Sequence, residues 1–319
     1  MSSFVAWCDR HQIALHLAAI AVGVMAGLSA PGVAQPLGFA VTPVLGLLLY
    51  ATFLGVPFSR MGCAFRDTRF LCVVLVVNFV IVPLIVFVLT RFIAHDQALL
   101  VGALFVLLTP CIDYVIVFTG LAGGAKERLV ATAPILMLGQ IVFLPLYLWL
   151  FAGHELLGAL DLSPFVDAFL LLIVLPLAAA GITQYAAART RAGRALRDAA
   201  SAAMVPLIML TLALVVASQV FGVSQQLPAL LVLIPIYAAF AVVMIPVGVL
   251  ASRAARLDVP RTRAAVFSGA TRNSLVVLPL VLALPGSFDL APLAVVAQTL
   301  VELIAMVVFV RLIPRVIPR

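Results

Sequence analysis

Charge is what this chain has least of. Only 10% of its 319 residues are Asp, Glu, Lys or Arg, against about 25% in ordinary soluble domains, so it lacks the polar covering that a water-soluble fold needs. Lysine is nearly absent, with Lys126 alone beside 18 arginines. Four cysteines (Cys8, Cys63, Cys72 and Cys111) form no Cys-x-x-Cys pair, which argues against a disulfide framework or a thiolate zinc site. The histidines are few and scattered. His11 and His16 lie five residues apart, a poor helical spacing for two metal ligands on one face. No His-Glu-x-x-His and no Gly-x-Gly-Asp occurs, and no serine–histidine dyad is evident, so an enzyme is not expected. The formal charge of +7 and pI near 9.8 come without a basic cluster outside short loops. Nucleic acid is therefore not an expected partner.

What fills the chain instead is long hydrophobic runs. Hydrophobic residues make up 65% of the sequence, and mean hydropathy is +1.28. Apolar runs fall at 13–29, 38–58, 70–90, 98–124, 129–152, 165–186, 199–221, 227–251, 264–284 and 290–312. Runs of about 20 apolar residues match the thickness of a bilayer, whereas a membrane barrel shows short alternating segments. The expectation is an all-α polytopic membrane protein of ten helices, one transmembrane domain over residues 1–319, embedded in lipid. Connections such as Ser29-Ala30-Pro31-Gly32 and Leu284-Pro285-Gly286-Ser287 leave no room for an inserted soluble domain.

Arginine placement orients these spans. With the N-terminus in the cytoplasm and loops alternating from there, 17 of the 19 basic residues lie inside. Arg91 is the exception, and Arg272 falls within a membrane run. Short loops obey this positive-inside rule, and loss of the first span would invert every later one. Ten uncleaved spans with both termini cytoplasmic follow, and the arginine- and alanine-rich composition suggests a bacterial inner membrane.

Three formal charges remain inside the membrane: Asp113, Arg272 and Glu302. Each costs roughly 2.5–3.5 kcal/mol to insert, so each should face the bundle interior or water. Asp113 follows Thr109-Pro110-Cys111-Ile112, where Thr109 suits a helix cap and Pro110 a first helical position. The run 98–124 thus reads as two half-helices, a hallmark of binding sites in secondary transporters, the alternative being a proline kink with no site. On that reading Cys111 sits near the positive end of a half-helix, which favours thiolate; as a small hydrophobe it could equally be core. Asp113 is either stabilised by the helix dipole or paired with Arg272. The ninth run is interrupted in the same way, with Ser268, Thr271, Asn273 and Ser274 beside Gly269. Asn78, Gln140 and Gln298 read as interhelical hydrogen-bond formers. Glu302 has no base within a turn or two, and desolvation favours its protonated form.

Spacing also hints at duplication. Pro83 precedes Pro110 by 27 residues, as Pro246 precedes Asn273; Gln140 follows Pro110 by 30 and Glu302 follows Asn273 by 29. Two halves, about 11–152 and 164–312, each with five spans, must be inverted relative to one another.

At these residues the chain resembles the bile-acid/sodium symporter superfamily, and within it the arsenical-resistance permeases. The resemblance covers nearly the whole length and implies two inverted five-helix repeats whose broken fourth and ninth helices cross near the bilayer midplane. It implies that Cys111 and the Glu302 of Leu300-Val301-Glu302-Leu303 are functional. It also implies a function, proton-coupled efflux of arsenite as an antiporter, without a cofactor. Thr109-Pro110 and Arg272-Asn273 depart from the family's Ala-Arg and paired Asn, and Asp113 is an added acid. The alternative is sodium-coupled symport of an organic anion. There Arg272 would hold the carboxylate, and Asp113, Asn273, Gln298 and Glu302 would bind sodium.

Overall fold

The hydrophobic runs become helices because a bilayer offers backbone groups no other partner. The computed structural model describes residues 11–29, 34–55, 65–112, 114–152, 167 and 170–318. Among these residues the chain is all helix, with no strand beyond one isolated bridge between Pro110 and Arg272. Among the described residues, five helices are long and apolar enough to cross a membrane. The protein is therefore a multi-pass membrane protein.

Two compact units divide the chain, and each takes segments from both halves of the sequence. The first comprises Met1–Gly55 and Ser163–Leu227, the second Val56–Leu162 and Pro228–Arg319.

In the first unit, α1 (Gln12–Ser29) and α2 (Ala34–Gly55) pack against α8 (Arg191–Gln225). Helix α7 (Leu175–Arg189) follows a π-helical turn at Leu170–Val174. Gly23 and Gly27 let α1 and α8 approach closely: a Cβ on them would lie 2.7 Å from the Ala213 carbonyl and 2.4 Å from the Ala217 carbonyl. Small residues commonly set such contacts in membranes. Gln184 of α7 donates to the carbonyls of Phe53 and Leu54, closing the end of α2.

The second unit holds the two interrupted runs. Helix α3 (Thr68–Ile93) is capped by Asp67, which accepts from the Phe70 N–H at 3.3 Å. It contains a π-helical turn at Val77–Ile81. Helices α4 (Gln97–Leu107) and α5 (Tyr114–Leu121) come from the fourth run, and α6 (Lys126–Ala152) follows. Next come α9 (Pro228–Ala254), α10 (Val259–Ala270), α11 (Ser274–Leu282) and α12 (Leu290–Val316). Every residue of α4 from Ala98 to Leu107 is buried, as is every residue of α10 from Thr262 to Ala270. Helices buried on every side lie in the centre of a bundle, so these two short helices form the core of this unit. Gly102 brings α4 onto α12, where a Cβ would fall 2.6 Å from the Ala291 carbonyl.

Arg263, which sequence reasoning placed in a cytoplasmic loop, lies within α10 and is buried. Its guanidinium donates to the carbonyls of Ala122 and Ile317, beyond the ends of α5 and α12. A cation there meets the partial negative charge of two helix C-termini.

Candidate functional site

Each short core helix ends in the same way. Thr109 Oγ1 donates to the Phe105 carbonyl at 2.8 Å, and Thr271 Oγ1 to the Phe267 carbonyl at 2.7 Å. Each helix also begins on an aspartate, Asp96 accepting from the Leu99 N–H and Asp258 from the Arg261 N–H, both at 3.0 Å. An offset of 162 residues relates Asp96 to Asp258, Phe105 to Phe267, Thr109 to Thr271, Pro110 to Arg272 and Gln140 to Glu302. The matching Phe-x-x-x-Thr endings and Asp caps mark this register more closely than the proline spacings do. They set the repeat one residue shorter than the proline spacings, so that Pro110 corresponds to Arg272 rather than to Asn273.

The expected helix start at Thr109-Pro110 is not where the second half-helix is described. The Thr109 hydroxyl serves the helix behind it, and helix resumes in the described residues at Tyr114. Cys111 therefore lies in an extended segment rather than in the first turn of a helix. Gly269, expected at the other break, is helical; the chain leaves α10 at Thr271. A Cβ on Gly269 would lie 2.8 Å from Val77 Cγ1 and 2.9 Å from Met244 Cε, so this glycine makes room for packing. Asp113, and with it the expected pairing to Arg272, lies outside the described residues.

The extended segments satisfy each other. The Asn273 N–H donates to the Thr109 carbonyl at 2.9 Å, and the Cys111 N–H to the Thr271 carbonyl at 3.3 Å. This antiparallel bridge between Pro110 and Arg272 takes up backbone groups that lipid could not. Asn273 then caps α11, accepting from the Val276 N–H at 3.3 Å.

Arg272 is wholly buried. Its guanidinium donates to the carbonyls of Leu107 at 3.3 Å, Ser268 at 2.9 Å and Gly269 at 2.7 Å, and to Asn78 Oδ1 at 2.8 Å. The charge thus sits on the C-terminal ends of both α4 and α10, where helix dipoles favour a cation. Asn78 lies in the π-helical turn of α3, a type of bulge frequent at functional sites. Its amide donates to the Val74 carbonyl at 2.9 Å and to Ser268 Oγ at 3.1 Å, which fixes its oxygen toward Arg272. Nothing local sets Asn78 apart from an ordinary interhelical hydrogen-bond former, because Ser268 and Arg272 lie 190 or more residues away.

Glu302 of α12 is buried and joins the bridge. Its Oε2 accepts from the backbone N–H of Arg272 at 2.9 Å and from Gln298 Nε2 one turn earlier. One peptide unit therefore makes two contacts: the Thr271 carbonyl receives Cys111, while the adjoining Arg272 N–H reaches Glu302. Cys111 is itself 1% exposed and not in a disulfide. Asn273 Nδ2, Ser274 Oγ, Gln298 Oε1 and Gln140 Oε1 on α6 are buried and have no hydrogen-bond partner among the described residues. Buried polar atoms of this kind call for a water, an ion or a ligand. Among the described residues no group of three His, Cys, Asp or Glu side chains is arranged to hold a metal ion.

Residues 42–226, more than half of the chain, match the family described as the Sodium Bile acid symporter family. The matched stretch contains the first break and Cys111; Arg272, Asn273, Gln298 and Glu302 lie beyond it. No curated protein matches the chain.

Proposed function

Because the chain belongs to the sodium bile acid symporter family, whose members are transporters, we propose that it is a secondary carrier exporting arsenite in exchange for protons. In this reading Cys111 is the substrate thiol and Glu302 the proton carrier. The observation that carries it is the single Thr271–Arg272 peptide linking the Cys111 backbone to the Glu302 carboxylate. Arsenite is mostly neutral As(OH)3 at neutral pH. The thiol displaces one hydroxyl: an S–As bond forms, an As–OH bond breaks, and the thiol proton leaves with the hydroxyl as water. One soft sulfur ligand selects trivalent arsenic while keeping the bond reversible.

Coupling follows from electrostatics along the bridge. Ionised Glu302 draws strongly on the Arg272 N–H, and the polarised peptide accepts more strongly from Cys111. Linked hydrogen bonds reinforce each other by about 10–30% per bond. Protonation of Glu302 relaxes the bridge, so the segment bearing the substrate thiol senses the proton.

The carrier architecture we favour has ten spans in two inverted repeats, both termini cytoplasmic, in a bacterial inner membrane. Its support is the 162-residue offset between matching caps, breaks and bridge residues, together with the inward arginine bias. Alternation between facing states would then pivot on a rigid bridge.

A second reading, sodium-coupled symport of an organic anion, draws on a different observation. Ser274 Oγ and Gln298 Oε1 are buried oxygens without partners among the described residues, close in sequence to Asn273 and Glu302, and hard cations take oxygen ligands. Against it, Arg272 already donates to three helix carbonyls and to Asn78 Oδ1. Inside-out vesicles separate the two. Arsenite accumulation driven by an acid lumen, indifferent to sodium, supports the first reading. Accumulation of an organic anion by right-side-out vesicles, only under an inward sodium gradient, supports the second and removes the first.

A further inference from the structure

Away from the bridge, the second unit carries a groove of about 530 Å³ between the first half of α3 and the last turns of α9. Cys72, Val76 and Ile81 line one side, and Ala251, Ala254 and Ala255 the other; the three alanines are what leave it open. Cys72 and Val76 are exposed within it. From Arg69, which lines one end, to Ile81 the wall runs about 18 Å at 1.5 Å per helical residue, which spans one leaflet of a hydrocarbon core about 30 Å thick.

Charge is confined to one end of this groove. Arg69 is exposed and has no ion pair among the described residues. The nearby acid, Asp67, is engaged by Arg128 at 3.5 Å and Arg261 at 3.2 Å, so it does not offset Arg69. Arg253 and Arg256, at the end of α9, are likewise exposed and without ion pairs among the described residues. A cationic end and an apolar groove whose α3 wall is one leaflet long match the two parts of a single molecule. We propose that this groove is a binding site for an anionic phospholipid of the arginine-side leaflet, its acyl chain along α3 and α9 and its phosphate on Arg69. This inference does not depend on which substrate is carried.

Native mass spectrometry of the full chain, offered phosphatidylglycerol and phosphatidylcholine of identical acyl chains, tests it. The wild type should retain the anionic lipid at least about fivefold better, the effect of one arginine near an anionic headgroup. Arg69→Gln should abolish that preference while keeping basal retention, and Ala251→Phe should reduce retention of both lipids. Equal retention by the wild type, or a preference surviving in Arg69→Gln, would overturn the assignment. A measurement without variants runs in nanodiscs, with maleimide labelling read at the Cys72 peptide: labelling should be slower in phosphatidylglycerol than in phosphatidylcholine. Equal rates, or Cys72–Cys72 cross-links between copies, would show that no anionic lipid occupies the groove.

Discussion

Replacing Glu302 separates its charge from its hydrogen bonds. In Glu302→Gln the side-chain carbonyl can still accept from the Arg272 N–H, so the bridge persists with a neutral acceptor. Hydrogen bonds to charged groups contribute about 1.5–3 kcal/mol and neutral ones about 0.5–1.5; the loss should be about 1 kcal/mol. Glu302→Leu is harsher. It leaves the Arg272 N–H and the Gln298 amide buried without an acceptor, at about 1–3 kcal/mol each, or roughly 2–6 kcal/mol together. Denaturant unfolding in detergent should therefore rank wild type, then Gln, then Leu. In proteoliposomes Glu302→Gln should stop proton-driven net export of arsenite but keep exchange across the membrane, since substrate chemistry at Cys111 is intact. Uphill export by Glu302→Gln would refute proton carriage by Glu302. Equal stability of the Gln and Leu variants would refute the bond to the bridge.

Cys111→Ser exchanges a soft ligand for a hard one at nearly constant size; arsenite export should vanish while unfolding midpoints stay within about 1 kcal/mol of wild type. Normal transport by this variant would make Cys111 a core residue only. Asn78→Leu removes the side-chain acceptor of Arg272 and the donor to Ser268, and should destabilise by about 1.5–3 kcal/mol, measured by the same unfolding; Asn78→Asp, which keeps an acceptor for Arg272, should lose less. For topology, cysteines introduced at Gly153 and Gln225 should react with an impermeant maleimide from outside, and one at Ala192 only after permeabilisation. The reverse pattern would invert the orientation.

The all-helical class was legible in the sequence, and so was the fact that the fourth and ninth runs are interrupted, though not which residues begin and end each half-helix. Hydrophobicity over 20 residues is a local property, and so is the chemistry that ends a helix: Thr109-Pro110 and Thr271-Arg272-Asn273 mark the breaks by their own side chains. The capping aspartates Asp96 and Asp258 were equally readable, and with them the 162-residue register. Tertiary structure alone decided what those broken ends would meet. Nothing local distinguishes an arginine that binds an anion from one that closes two helix C-termini, because the carbonyls of Leu107 and the amide of Asn78 lie 165 and 194 residues from Arg272. Glu302 looked isolated along its own helix for the same reason. Besides Gln298 on its own helix, its hydrogen-bond donor is a peptide N–H, freed only because a helix ends 30 residues earlier and crosses its path. Periodicity encodes which face of a helix is apolar, whereas the meeting of two interrupted ends is set by packing across the whole unit.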